Sequence, residues 1–249
     1  LLDLAAERLG MDKVEIRKVN LIRSQEMPYD VGLYSRDGRK IVYHTGDYPQ
    51  AFQKALDMID YTGFRKIQEE YRKNGRYLGI GVANYIEMAG LGPFEGARVK
   101  VDPVSGKTIV YTGAASQGQG HETTLAQMCA ERLGVAFEDV KVIGGDTSVI
   151  PYGVGTWASR VATAAGNAVS GAARKVREKA LMLAGLYLQA EPDELEIFDG
   201  IIRVKNEPDR NVSLQLIAKI SVDPSRATQR HLPEGSRLPS DFQPGLDET

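Results

Sequence analysis

The apolar positions at the start of the chain, Leu2, Ala5, Ala6 and Leu9, fall on one face of a helix, and Gly10 follows as its stop. A second short helix follows in MDKVEIRKVNLI, with Asp12 as its cap and Glu15 at capping-box spacing. MPYDVGLYSRDGRKIVYHTGDYP is turn-rich, with a short strand at 40–43. The helical period returns at 48 and runs to Gly75, with the Thr62-Gly63 pair dividing it in two. RYLGIGVANYIEM alternates and is rich in β-formers, which predicts a strand. Segments 98–101 and 107–111 pair as a hairpin around the turn at 102–106. A helix over 122–133 ends at Gly134, DVKVIGGD gives another strand, and GNAVSGAARKVREKALMLAGLYL a long amphipathic helix. ELEIFDGIIRVKN is a second hairpin turning at Asp199-Gly200, and SLQLIAKI is a short helix capped by Ser213. The tail from Asp223 reads as loop.

Strands and helices are interspersed, and hairpins outnumber parallel crossovers. The pattern predicts an α+β fold of mixed sheets with hairpins and packed helices. One internal echo is present: LAAERLGMDKVEIR at the start and MCAERLGVAFEDVKV at 128–142. It is either a repeated supersecondary unit or two ordinary helix ends built from common helix formers.

Composition narrows the function classes. Across 249 residues, 42% are hydrophobic and 26% charged, as in ordinary globular domains. A net charge of -2 gives no reason to expect a nucleic-acid partner. The single cysteine, Cys129, excludes a disulfide framework or a cysteine-built metal site within this chain, and its helical, apolar setting reads as packing. No apolar run approaches the ~18 residues a membrane span needs. His44 and His231 read as solvated positions, and RKIQEEYRKNGR as a solvated helix face. The opening inside a helical pattern and the unclosed ending suggest a piece of a longer polypeptide.

Two stretches carry chemistry. In ASQGQGHETT, Gly118 and Gly120 free the main chain for positive φ and close approach at the mouth of a helix, whose first N–H groups attract anions. The Lys-Ser/Thr pair of a phosphate loop is absent, and Leu125 stands where a zinc helix needs its second histidine. What remains is an amide-rich turn in which Gln117 and Gln119 can each donate and accept. Read alone, it is better described as a tight strand-to-helix turn with polar caps, since glycines are common at turns. The run GGDTSVIPYGVGTWASRVATAAGNAVS is small-residue almost throughout from Gly153 to Ala168, with Trp157 and Arg160 the large exceptions. That permits close packing of another helix or of a large ligand. Asp146 and Thr147 cap or turn the chain. Two such helix-entry turns suggest one extended, polar, multiply hydrogen-bonded ligand, which the residues themselves do not name.

The combination TGAASQGQGHETTLAQMCAERLGV and GGDTSVIPYGVGTWASR resembles the molybdenum-binding subunit of the xanthine dehydrogenase family of molybdenum hydroxylases. It is most similar to the bacterial branch that includes aerobic carbon monoxide dehydrogenase large subunits. The most specific parts are 117–123 and 151–160. The resemblance implies that Gln117, Gly118, Gln119, Gly120 and His121 bind molybdopterin cytosine dinucleotide with its molybdenum, Gln119 as amide donor. It implies that Thr156, Trp157, Ala158, Ser159 and Arg160 wrap the pterin and pyrophosphate through main-chain and hydroxyl groups, with Ala158 near the metal and no direct metal ligand in the chain. Trp157 departs from the small residue of xanthine-oxidising members, which puts a purine substrate in doubt. Glu87 and Phe94 would line the substrate pocket. No motif matches the family's catalytic glutamate, and Glu122, Glu131 and Glu234 have no claim to that role, so the isolated chain is expected to be inactive.

The same resemblance implies a flavin-binding medium subunit, an iron–sulfur small subunit, a dimer of heterotrimers, and a cytoplasmic enzyme whose membrane association, where any exists, runs through partners. It implies oxidation of carbon monoxide, an aldehyde or an N-heterocycle with water-derived oxygen. It divides the chain into 1–25, the helical end of a preceding cofactor-binding subdomain; 26–76, linker and helix; 77–222, an α+β cofactor-binding subdomain; and 223–249, a loop leading onward. The readings from other classes are a non-catalytic interaction module of the same fold and an unrelated anion- or nucleotide-binding protein.

Overall fold

A computed structural model describes residues 1–35, 38–150, 152–223 and 232–249, so Pro151 and His231 lie outside the described residues. The chain forms two compact units, Leu1–Ile86 and Glu87–Thr249.

In the first unit, α1 (Leu2–Leu9) ends at Gly10, whose φ of 63° suits a residue without a Cβ. Helix α2 (Lys13–Lys18) is capped by Asp12, which accepts from the Val14 N–H at 2.7 Å. A hairpin follows, β1 (Tyr29–Tyr34) against β2 (Lys40–Tyr43). Only its second strand is predicted above, because Gly32 and Asp30 disguise the first. Helices α3 (Tyr48–Met58) and α4 (Tyr61–Lys73) divide at Ile59-Asp60, slightly before the predicted Thr62-Gly63. Asp60, at φ 45°, caps α4 by accepting from the Gly63 N–H at 3.1 Å. A Cβ on Gly63 would stand 2.0 Å from the Asp60 carboxylate, so this glycine serves the cap and not a break. The core is Val14, Phe52 and Leu56, with Leu21, Tyr61 and Val82 against it.

The strand predicted over 76–88 is not formed: this stretch carries no ladder. Alternation makes a strand only where a partner edge accepts it. Here Val82 packs on the helical core and the Gln68 amide donates to the Leu78 carbonyl at 2.7 Å, so helices organise the segment.

The second unit holds the larger core. Strands β3 (Ala97–Val101) and β4 (Thr108–Thr112) form the predicted hairpin. Helix α5 (His121–Leu133) then crosses to β5 (Val140–Gly144), which pairs parallel with β4. Helix α6 (Ala165–Leu188) packs Val169, Val176 and Leu183, all fully buried, among Val99, Val110 and Ile202. Strands β6 (Leu195–Phe198), β7 (Ile201–Val204) and β8 (Glu207–Ser213) make an antiparallel sheet, followed by α7 (Leu214–Val222), capped by Ser213. Periodicity does not reveal β8, because EPDRNVS is polar at every position but Pro208 and Val212. The echo diverges after its shared helix: Gly10 leads into α2 and Gly134 into β5.

Asp247–Glu248, expected as loop, forms a short strand, β9, on the free edge of β3, giving the order β5-β4-β3-β9. Arg98 grips Asp247 through Nε at 2.6 Å and through a second guanidinium nitrogen, and Lys179 pairs with Glu248 at 2.8 Å. Charge pairing rather than β-propensity fixes this strand, which is why periodicity does not reveal it. No helix among the described residues is long and apolar enough to cross a membrane.

Cys129 is fully buried on α5, and desolvation pushes its thiol up to about 12. Iodoacetamide at pH 8.5 should leave it unlabelled in the native protein and label it fully in denaturant, as read by mass spectrometry. Native labelling would show that α5 lifts from the core.

Candidate functional site

The crossover places 113–120 at the carboxyl end of β4 and the mouth of α5. In open parallel sheets, ligands collect at such strand ends. Gly118 (φ 103°) and Gly120 (φ 74°) hold conformations that L side chains rarely adopt, and a Cβ on either would meet open space. The glycines therefore serve backbone shape and leave the turn uncovered. Helix α5 has no side-chain cap, which leaves the N–H groups of its first turn free for another partner. The Gln119 amide oxygen accepts from the Gln117 N–H at 2.6 Å. His121, 6% exposed, has a buried Nδ1 with no hydrogen-bond partner. A buried polar atom left this way costs about 1–3 kcal/mol.

The second stretch turns at Asp146, which accepts from the Ser148 hydroxyl at 2.6 Å and its N–H at 2.9 Å; these bonds hold its carboxyl below the usual range. The chain enters α6 through two consecutive left-handed residues, Ala158 (φ 47°) and Ser159 (φ 49°). Neither is glycine, and each such residue costs on the order of 1–3 kcal/mol and persists only where its surroundings impose it.

The two stretches meet. Thr156 Oγ1 donates to the Ala115 carbonyl at 2.6 Å, and the Gln117 side-chain amide reaches the Thr156 carbonyl at 3.4 Å. Below that contact the backbones cross: a Cβ on Gly113 would lie 2.4 Å from the Gly153 Cα. Gln117 and Thr156 thus sit side by side, on open turns whose bases are locked together.

A third segment, 90–96, completes the site. The Gly90 N–H donates to the Ser159 carbonyl at 3.1 Å, and Gly92 lies under the Trp157 ring, with no room there for a Cβ. Phe94, 70% exposed, stacks on Tyr152 with centroids 4.7 Å apart. Glu87 is exposed and lies upstream of this segment.

The Arg160 side chain turns inward, away from the open turns. It is 0% exposed, and all five of its N–H donors are taken within the chain. Nε donates to the Leu91 carbonyl at 3.1 Å, and Nη1 to Glu95 Oε2 at 2.6 Å and the Gly155 carbonyl at 2.9 Å. Nη2 donates to the carbonyls of Pro93 at 2.6 Å and Phe94 at 3.1 Å. Glu95, which sequence reading passed over, is its buried partner and also accepts from the N–H groups of Val154 at 3.1 Å and Gly155 at 3.2 Å.

The site as built offers neutral amides, hydroxyls and uncapped N–H groups around an open turn. Among the described residues there is no cluster of three or more His, Cys, Asp or Glu able to hold a metal ion directly. The arrangement suits a large polar ligand held through many directional bonds.

The model of a family described as the molybdopterin cofactor-binding domain matches residues 54–238. The chain is 39% identical over 218 residues to the gamma subunit of the 6-hydroxypseudooxynicotine dehydrogenase complex of Paenarthrobacter nicotinovorans, covering 87% of this chain and 27% of the relative. It is 34% identical over 232 residues to the carbon monoxide dehydrogenase large chain of Hydrogenophaga pseudoflava, covering 88% and 28%. The crystal structure of quinoline 2-oxidoreductase from Pseudomonas putida 86 superposes with a TM-score of 0.62 at 33% identity, over all of this chain and 31% of that one. The chain therefore spans less than a third of the length of these relatives.

Proposed function

The chain belongs to the molybdopterin cofactor-binding domain family, and from that premise we propose that it is the part of a molybdenum hydroxylase that grips the pterin cofactor. The observation carrying this reading is the meeting of two open turns at Thr156, Ala115 and Gln117. The residues fit such a group. The positive-φ glycines leave space above them, the α5 N-terminus offers uncapped donors, and the unpartnered His121 Nδ1 needs a polar neighbour. When bound, the molybdenum–pterin group supplies the redox centre that takes electrons from substrate.

In this reading Gln117, Gly118, Gln119, Gly120 and His121 hold one side of the cofactor, and Thr156, Trp157, Ala158 and Ser159 the other. The amides and hydroxyls orient it, while the backbone donors at the α5 N-terminus offset phosphate charge. Arg160 serves from behind, by shaping the loop. Phe94 stands with Tyr152 at the exposed margin, as an aromatic wall toward substrate. The cytosine dinucleotide form, the flavin and iron–sulfur partner subunits and the cytoplasmic setting belong to the same proposal. So does a small substrate such as carbon monoxide, an aldehyde or an N-heterocycle. Relatives named for carbon monoxide and for the complex acting on 6-hydroxypseudooxynicotine support that class.

Metal and nucleotide analysis tests the reading. The protein matured in a molybdenum-replete host should carry close to one molybdenum and one pterin nucleotide per chain, and Gly120→Val should remove most of both. A folded wild-type protein with neither would leave an interaction module in its place.

A further inference from the structure

We propose that Glu95 is a positioning residue: its buried pair with Arg160 sets the left-handed Ala158-Ser159 turn in its ligand-receiving shape before any ligand arrives. The inference rests on the cofactor reading above. Both side chains are 0% exposed. From this one pair, bonds run to Leu91, Pro93 and Phe94 on one segment and to Val154 and Gly155 on the other. Glu95 Oε1 also stands against the crossing of the two turns, 2.9 Å from where a Gly113 Cβ would be. The pair therefore touches three backbone segments around the turn, at 91–94, 154–155 and Gly113. Two successive non-glycine residues at positive φ need such outside constraint to persist. A carboxylate is suited to the task, because it can accept from several N–H groups and an arginine at once.

The test uses the intact, matured protein and three variants: Glu95→Gln, Arg160→Lys and Val99→Ala. Val99 is fully buried in the core of the same unit, paired in register with Val110 and Glu248, and supplies a control for general destabilisation. The readouts are the thermal midpoint of the cofactor-free protein and the half-time of pterin release, followed by fluorescence of the released pterin. Glu95→Gln keeps an acceptor but loses the charge, and is expected to release pterin roughly tenfold faster than wild type, a factor equal to about 1.4 kcal/mol. Val99→Ala, compared at equal loss of thermal midpoint, should release at nearly the wild-type rate. Arg160→Lys keeps the charge but not the five-donor fork and should behave like Glu95→Gln, which keeps the question open to test should the first variant not fold. Release from both site variants no faster than from Val99→Ala would overturn the positioning role alone. A wild-type protein without pterin would overturn the cofactor reading, and this proposal with it.

Discussion

Arg160→Met should be among the most destabilising single substitutions in the second unit. It leaves the Glu95 carboxylate buried with no countercharge and removes the donors of four carbonyl groups. Breaking a buried ion pair by deleting one partner costs about 3–5 kcal/mol. At the heat-denaturation scaling of a unit this size, that is a fall in melting temperature of roughly 6–20 °C. Differential scanning calorimetry of cofactor-free protein checks it. In many proteins, replacing both members of a buried pair by apolar groups restores stability. Here the double variant Arg160→Met/Glu95→Leu should not recover, because the carbonyls of Leu91, Pro93 and Phe94 and the N–H groups of Val154 and Gly155 stay unpaired. A melting temperature within a degree or two of wild type for Arg160→Met would mean that water reaches the pair.

Gly113→Ala is the second large effect. The added methyl would stand 2.4 Å from the Gly153 Cα and 2.9 Å from Glu95 Oε1. Neither neighbour is a flexible side-chain end, since one is backbone and the other is held in the buried pair. The two turns must part, and the Thr156–Ala115 bond goes with them. Overpacking of this kind costs about 1–3 kcal/mol, with backbone clashes at the upper end. Gly118→Ala is the contrast. It has open space and only an unfavourable φ, for which roughly 1–2 kcal/mol is expected. Urea denaturation should rank Gly113→Ala well below Gly118→Ala in stability, and metal analysis should find Gly113→Ala depleted in molybdenum. The reverse ranking would show that the crossing is loose.

Much of the second unit was legible in the chain, because the strands of its first hairpin alternate cleanly and α5 ends on glycine. Val99, Val101 and Val110 point inward as period-2 reading demands, and Gly134 closes α5 at φ 88°. What escaped was whatever depends on a distant partner. The stretch at 76–88 looks like a strand but finds no edge, and Asp247–Glu248 looks like loop but finds both an edge and two cations.

The site divides along the same line. The glycines and amides of 117–120 announce an open turn through local chemistry, and so does the small-residue run that contains Ala158. The inward period of β3 continued backwards one step reaches Glu95, on the same side as Ala97, Val99 and Val101. An acid on an inward position demands a buried partner. That signal was present in the sequence, but naming the partner as Arg160 needed coordinates. The direction of the Arg160 side chain was hidden for the same reason: where a guanidinium points depends on how many of its donors the fold takes up.

The short strand β9 has a consequence for synthesis on the ribosome. Residues 97–101 emerge long before 247–248, so the outer side of β3 stays unpaired while some 145 residues are translated. Leu246, 1% exposed in the finished unit, is likewise missing from the core through that interval. A nascent chain arrested near residue 240 should therefore recruit holdase chaperones that release once Asp247 reaches Arg98.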